Sequence, residues 1–175
     1  MIQTDRLLLR RWRQSDVAPY AAICADPEVM RYIASGAVRT LDQSRLQVLA
    51  FEQSWEEKGY GLFAVERLSD GQLIGFTGLS TPNFLPEILP AVEIGWRYSR
   101  SCWGMGYATE AARAALSFGL HDLGLLEIVS IHQVGNDASR RIMAKLGMTF
   151  DRETVEPCSG RAIHIYRTRV SIPVY

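Results

Sequence analysis

The run SCWGMGYATEA, from Ser101 to Ala111, sets Gly104 and Gly106 two residues apart between a strand-like stretch and a helix-like one. A strand, a glycine turn and a helix start form an anion site, because unpaired backbone N–H groups and the positive end of the helix dipole converge there. Phosphate is the natural guest, and spacing separates the readings. A nucleoside-triphosphate loop needs Lys then Ser or Thr after its second glycine, whereas Tyr107 and Ala108 follow Gly106. A dinucleotide fingerprint can be laid on Gly104, Gly106 and Thr109, with Glu127 at ribose spacing. Glu127, however, opens its strand where that fingerprint wants an acid at the strand's end, and the preceding strands read as antiparallel.

The third phosphate guest is coenzyme A, and here the chain resembles a known family. Trp103-Gly104-Met105-Gly106-Tyr107-Ala108-Thr109-Glu110-Ala111 is similar to the turn of the RimJ/RimL-like branch of the GNAT N-acetyltransferases. The superfamily's usual Gln or Arg is replaced by Trp103. "TDRLLLRRW" (4–12), "DPEVMRYI" (26–33), "EIGW" (93–96) and "NDASRRIMAKLGM" (136–148) resemble that branch in the same order and spacing. The resemblance implies an α+β GNAT fold, with a mixed, mainly antiparallel sheet splayed at the acyl-CoA site and flanked by helices. It also implies transfer of acetyl from acetyl-CoA to a primary amine in a ternary complex. The acceptor would be a small molecule or a protein N-terminus, with a ribosomal protein among the candidates. A CoA-binding protein without catalysis is the alternative on the same fold.

Carried over residue by residue, the resemblance places the CoA diphosphate on the amides of Gly104, Met105, Gly106, Tyr107 and Ala108, next to Trp103. Thr109 adds a hydroxyl or caps the helix. Ile94, Gly95 and Trp96 would flank the pantetheine arm, and Asn136 would hydrogen-bond it, although an N-cap role fits Asn136 equally. Arg140 and Arg141 stand near a helix start, where a cation costs about 0.3–1 kcal/mol. A CoA phosphate on Arg140 would offset that cost, and two solvated charges are the alternative.

Acetyl transfer needs a neutral amine and then a proton for the departing thiolate. Glu93 is the candidate base: it shares a strand face with Ala91, Gly95 and Arg97, and an ion pair with Arg97 is the competing role. The tyrosine that often serves the superfamily as acid would fall at Met143. Ser139 is the branch's suggestion for relaying a proton to the sulfur or solvating it. Cys102 has no base placed near it, and the three histidines lack metal-ligand spacing, so no metal is expected. Trp12, Tyr32, Tyr60 and Phe84 suit either an acceptor wall or the core.

The elements that must position these residues follow from periodicity and punctuation. Strands are predicted at Arg6–Trp12, Leu62–Leu68, Leu73–Ser80, Ala91–Tyr98, Leu126–His132 and Ile163–Val170. Helices are predicted from Ser15-Asp16 to about Cys24, over Thr40–Glu57 before Gly59, over Ala108–Gly119, and over Asp137–Leu146 before Gly147. Asp26-Pro27 reads as a break, and Asp70-Gly71 as the turn of an antiparallel hairpin.

Length and composition fit this picture. The chain has 175 residues and reads as one domain over 1–175. Nineteen basic residues balance nineteen acidic ones, so no global charge favours nucleic acid or an anionic membrane. Three widely spaced cysteines suit a reducing compartment. No apolar run reaches the roughly 18 residues of a membrane span, and the arginine-rich N-terminus lacks the apolar core of a signal peptide. A cytoplasmic monomer or homodimer is the expectation.

Overall fold

The computed structural model describes residues 1–169. Its frame is one eight-stranded sheet in the order β1-β2-β3-β4-β5-β6-β8-β7. The strands are β1 (Ile2–Gln3), β2 (Leu7–Arg10), β3 (Leu62–Arg67), β4 (Gln72–Ser80), β5 (Glu93–Tyr98), β6 (Glu127–Gln133), β7 (Thr149–Val155) and β8 (Ala162–Arg169). Every neighbouring pair is antiparallel except β5 and β6, which are parallel. This is the expected α+β architecture. Val170, the predicted end of the last strand, lies outside the described residues.

The β3–β4 hairpin forms around the Asp70-Gly71 turn: Asp70 accepts from the Gln72 amide and from the Arg67 guanidinium. Two helices, α1 (Val17–Cys24) and α3 (Leu41–Lys58), pack on one face of the sheet. Trp12, Tyr20, Val48, Ala64 and Phe76 form the core beneath them. Thr40 and Gln43 cap α3 reciprocally, side chain to backbone in both directions, and Gly59 closes it. The break at Asp26-Pro27 is itself structured: Asp26 caps α2 (Pro27–Met30) by accepting from the Glu28 amide.

The opposite face carries α4 (Tyr107–Ser117) and α5 (Asp137–Lys145). Ala111, Ala112, Ala115 and Leu116 of α4 sink against Leu7, Phe63, Leu79 and Ile94, and Met143 of α5 joins the same cluster. Small alanines let α4 approach the sheet closely. The predicted helix to Gly119 instead ends at Ser117 and continues as a π-turn over Phe118–Asp122.

Sequence reading missed β1, α2 and β7. The first two are short. β7 is an edge strand whose residues are almost all exposed, so its Asp151-Arg152-Glu153 centre carries no alternating apolar signal.

Candidate functional site

The parallel strands β5 and β6 share a single bridge, Glu93 opposite Val129. The Val129 amide donates to the Val92 carbonyl at 2.9 Å and the Ser130 hydroxyl to the Ile94 carbonyl at 3.0 Å. Past Ile94 the strands diverge, so from Trp96 onward β5 has no strand partner on that side. A cavity of about 450 Å³ opens at this split, walled by Trp96, Arg97 and Tyr98 of β5. The glycine turn and α4 supply Trp103, Gly104, Gly106, Tyr107, Ala108 and Thr109. Asn136, Ser139 and Arg141 close one side from α5, and Glu28, Arg31 and Tyr32 close another.

Both turn glycines have left-handed backbones, φ 77° at Gly104 and 82° at Gly106. A Cβ at Gly104 would meet nothing, and one at Gly106 only the Arg6 Nη2, at 3.4 Å. The glycines are therefore set by chain direction, which a side chain would strain. Gly106 takes the N-cap position of α4 without any side-chain cap. The N–H groups of Gly106, Tyr107, Ala108 and Thr109 bond to nothing among the described residues. These are the orphan donors that an anion would satisfy.

The turn is held from the N-terminal segment. Glu110, in the first turn of α4, accepts from the Thr4 hydroxyl at 2.6 Å, the Arg6 amide at 3.0 Å and Arg6 Nε at 2.7 Å. Arg6 Nη1 donates to the Met105 carbonyl at 3.0 Å, and the guanidinium lies 4.6 Å from the centre of the Tyr107 ring. Burial works to raise the Glu110 pKa, but the bonds from Thr4 and Arg6 outweigh it and hold it below the usual range.

Asn136 caps α5 by accepting from the Ser139 amide at 3.2 Å, and the Ser139 hydroxyl accepts from Trp96 Nε1 at 3.3 Å. The two sides of the split thus meet through Trp96 and Ser139. Trp103 reaches back to donate from Nε1 to the Tyr98 carbonyl at 3.1 Å.

Not every expected site residue reaches the cavity. Ile94 is fully buried in the core, Met105 is half-exposed with its carbonyl on Arg6, and neither lines the space. Arg140 turns outward to Asp137 at 3.1 Å, while Arg141, one position on, lines the cavity without an ion pair. Met143 is fully buried among core side chains. Trp12 belongs to the core beneath α1 and α3, Tyr60 is half-buried with its hydroxyl near Thr81, and Phe84 is exposed; of the four aromatics only Tyr32 walls the cavity.

Glu93 sits at the bridge, before the split. It is half-buried and does not line the cavity, and its carboxyl makes no hydrogen bond or ion pair among the described residues. Burial alone pushes its carboxyl up to about 8. The expected alternative, an ion pair with Arg97, does not form: Arg97 bonds to Tyr20, Cys24 and Gln47 instead. Gly95, between them on the same face and also expected at the cofactor site, does not line the cavity either, and an added Cβ there would meet nothing within 4 Å. No group of three or more metal-ligating side chains occurs among the described residues.

A family model described as acetyltransferase (GNAT) domain matches residues 6–149. The chain is 29% identical to the uncharacterized N-acetyltransferase YoaA of Bacillus subtilis, over 89% of this chain and 85% of that one. Among solved structures it resembles a GNAT-family acetyltransferase from Bacillus anthracis, at 25% identity with TM-score 0.79, covering 96% and 97% of the two chains. It also shares its fold with RimL, a ribosomal L7/L12 N-acetyltransferase solved with coenzyme A, at 15% identity and TM-score 0.77, covering 95% and 96%. The sheet splits at its one parallel pair, and the residues with uncapped amides line the cavity at that split. The chain belongs to the GNAT acetyltransferase family, and acetyl transfer is its chemistry.

Proposed function

We propose that the chain moves acetyl directly from acetyl-CoA to a primary amine within a ternary complex. The observation that carries this reading is the set of unpartnered amides from Gly106 to Thr109, opening into the cavity that Trp96 and Ser139 close. The residues present fit the cosubstrate. The amides take the diphosphate, Arg141 and Lys145, which line the cavity without ion pairs, are cations for a CoA phosphate, and the unpaired edge of β5 at Trp96 pairs with the pantetheine amides. Acetyl-CoA supplies an activated thioester.

Glu93 accepts the proton that the amine loses as its nitrogen bonds to the acyl carbon, directly or through a water above Gly95. The C–S bond breaks, and the thiolate takes a proton through the Ser139 hydroxyl, which is resupplied from solvent. Met143 supplies no acid. The acceptor is a small molecule or a protein α-amine, with ribosomal proteins suggested by the RimL likeness, and the enzyme acts as a monomer or homodimer. All three cysteines are free, and no helix among the described residues is long and apolar enough to cross a membrane. Free cysteines suit a reducing compartment, and the cytoplasm is the location we propose.

Thiol release from acetyl-CoA over a panel of primary amines, with CoA affinity measured in parallel, tests this. Glu93→Gln should abolish amine-dependent release while CoA binding stays within about twofold. Amine-dependent release by Glu93→Gln at the wild-type rate would overturn the base assignment.

A further inference from the structure

Arg97 is 93% buried, at 7% relative exposure, and lines the cavity. Nothing negative meets it. Its Nη1 donates to the Tyr20 hydroxyl at 2.8 Å, to Cys24 Sγ at 3.1 Å and to Gln47 Oε1 at 3.4 Å. Its Cζ lies 5.3 Å from the Phe76 ring centre and 5.9 Å from that of Tyr20. Burial pushes the Tyr20 hydroxyl far up, so it stays a neutral phenol. Nε is buried without an acceptor, and Nη2 has none among the described residues.

A buried guanidinium left without a counter-charge is costly, and structures rarely keep one that has no use. The donors left over here are informative. In arginine, Nε–H and one N–H of Nη2 run parallel along one edge, and that edge fits the two oxygens of a carboxylate. Rings stand beside the guanidinium, Nη1 is occupied, and this edge remains. A second cation, Arg39, sits close enough to lower the Tyr20 pKa, and its Nε too is buried without a partner.

On the same face of β5, Gly95 leaves an open floor between Arg97 and Glu93. Four residues of strand separate the two Cα atoms by roughly 13 Å, and no side chain stands between them at Gly95. The span suits a small acceptor with its amine at one end and its anion at the other.

Resting on the acetyl-transfer reading above, we propose that the acceptor is a small primary amine bearing a carboxylate, which the Nε/Nη2 edge of Arg97 binds while the amine lies toward Glu93. The carboxylate completes the buried charge pair that the free enzyme lacks. A neutral amine or a polyamine would leave Arg97 uncompensated, and a polyamine would add repulsion from Arg39 and Arg97.

The test is calorimetric titration of the CoA-loaded protein with amino acids from glycine to 6-aminohexanoate, each against its carboxamide. The expected result is that at least one acid binds tenfold or more tighter than its amide, and that Arg97→Gln erases the preference while CoA affinity is retained. A preference below tenfold throughout, or one that survives Arg97→Gln, overturns the proposal. Should that variant fail to fold, the Arg97 Nε–H resonance of the wild type decides: it shifts on adding the preferred acid and not its amide, and an unmoved resonance overturns the proposal. Selective binding without acetylation of the bound acid would sink the transfer reading for this class and leave the binding site standing.

Discussion

As the proposed base, Glu93 would couple activity to stability with opposite signs, and a pH series separates the two. A carboxyl lifted from 4.5 to about 8 by burial is about one-tenth ionised at pH 7. As a base it must be ionised, so kcat/KM should rise about tenfold from pH 7 to a plateau above 8, with slope near one below that point. Stability runs the other way. The folded state holds the proton that the unfolded chain releases near 4.5, so this contribution is full below 4.5 and is lost as pH rises through about 8.

At about 1.36 kcal/mol per tenfold change in proton affinity, the difference approaches 5 kcal/mol as an upper bound, and relaxation or water entry reduces it. Glu93→Gln cannot ionise. Urea unfolding of both proteins from pH 5 to 9 should therefore show the variant gaining on the wild type by a few kcal/mol between pH 5 and 8 while amine-dependent turnover is lost. Parallel stability curves across that range, or a wild-type activity limb near pH 4 to 5, would refute the reasoning.

Removing the clamp with Glu110→Ala should weaken CoA binding about tenfold in calorimetry while thermal unfolding shifts by only a few degrees, because the pair is partly exposed and its worth lies in fixing the Met105 carbonyl and the turn. Gly106→Ala should cost roughly 1–2 kcal/mol of stability from the left-handed φ and lower CoA affinity at least tenfold, read by the same two assays. Ser139→Ala should reduce kcat by about tenfold or less with CoA affinity nearly kept, since solvent can replace a hydroxyl relay; stopped-flow thiol release measures it. Met143→Tyr should not raise kcat and should destabilise by about 1–3 kcal/mol in urea unfolding, because position 143 is packed in the core.

What the sequence made legible was local. The glycine turn, the Asp70-Gly71 hairpin and the Asn136 cap are each announced by a few adjacent residues whose chemistry acts at short range. The orientation of whole elements was not legible. Arg140 and Arg141 differ by about 100° around α5, and only the packing of Met143 into the core shows which of them faces the split. Arg97 looked like a partner for Glu93 because strand alternation puts both on one face; its actual partners come from α1 and α3, more than 45 residues away in the chain. The Arg6–Glu110 clamp, 104 residues apart, left no pattern to read. The space around the two turn glycines is open, and the left-handed backbone angle is what demands them.

The most direct test is a structure of the protein with coenzyme A bound. The account predicts the diphosphate within hydrogen-bonding distance of the Gly106–Thr109 amides, with pantetheine threading the split beside Trp96. A diphosphate seated anywhere else, or those four amides still without an acceptor in the complex, would contradict it.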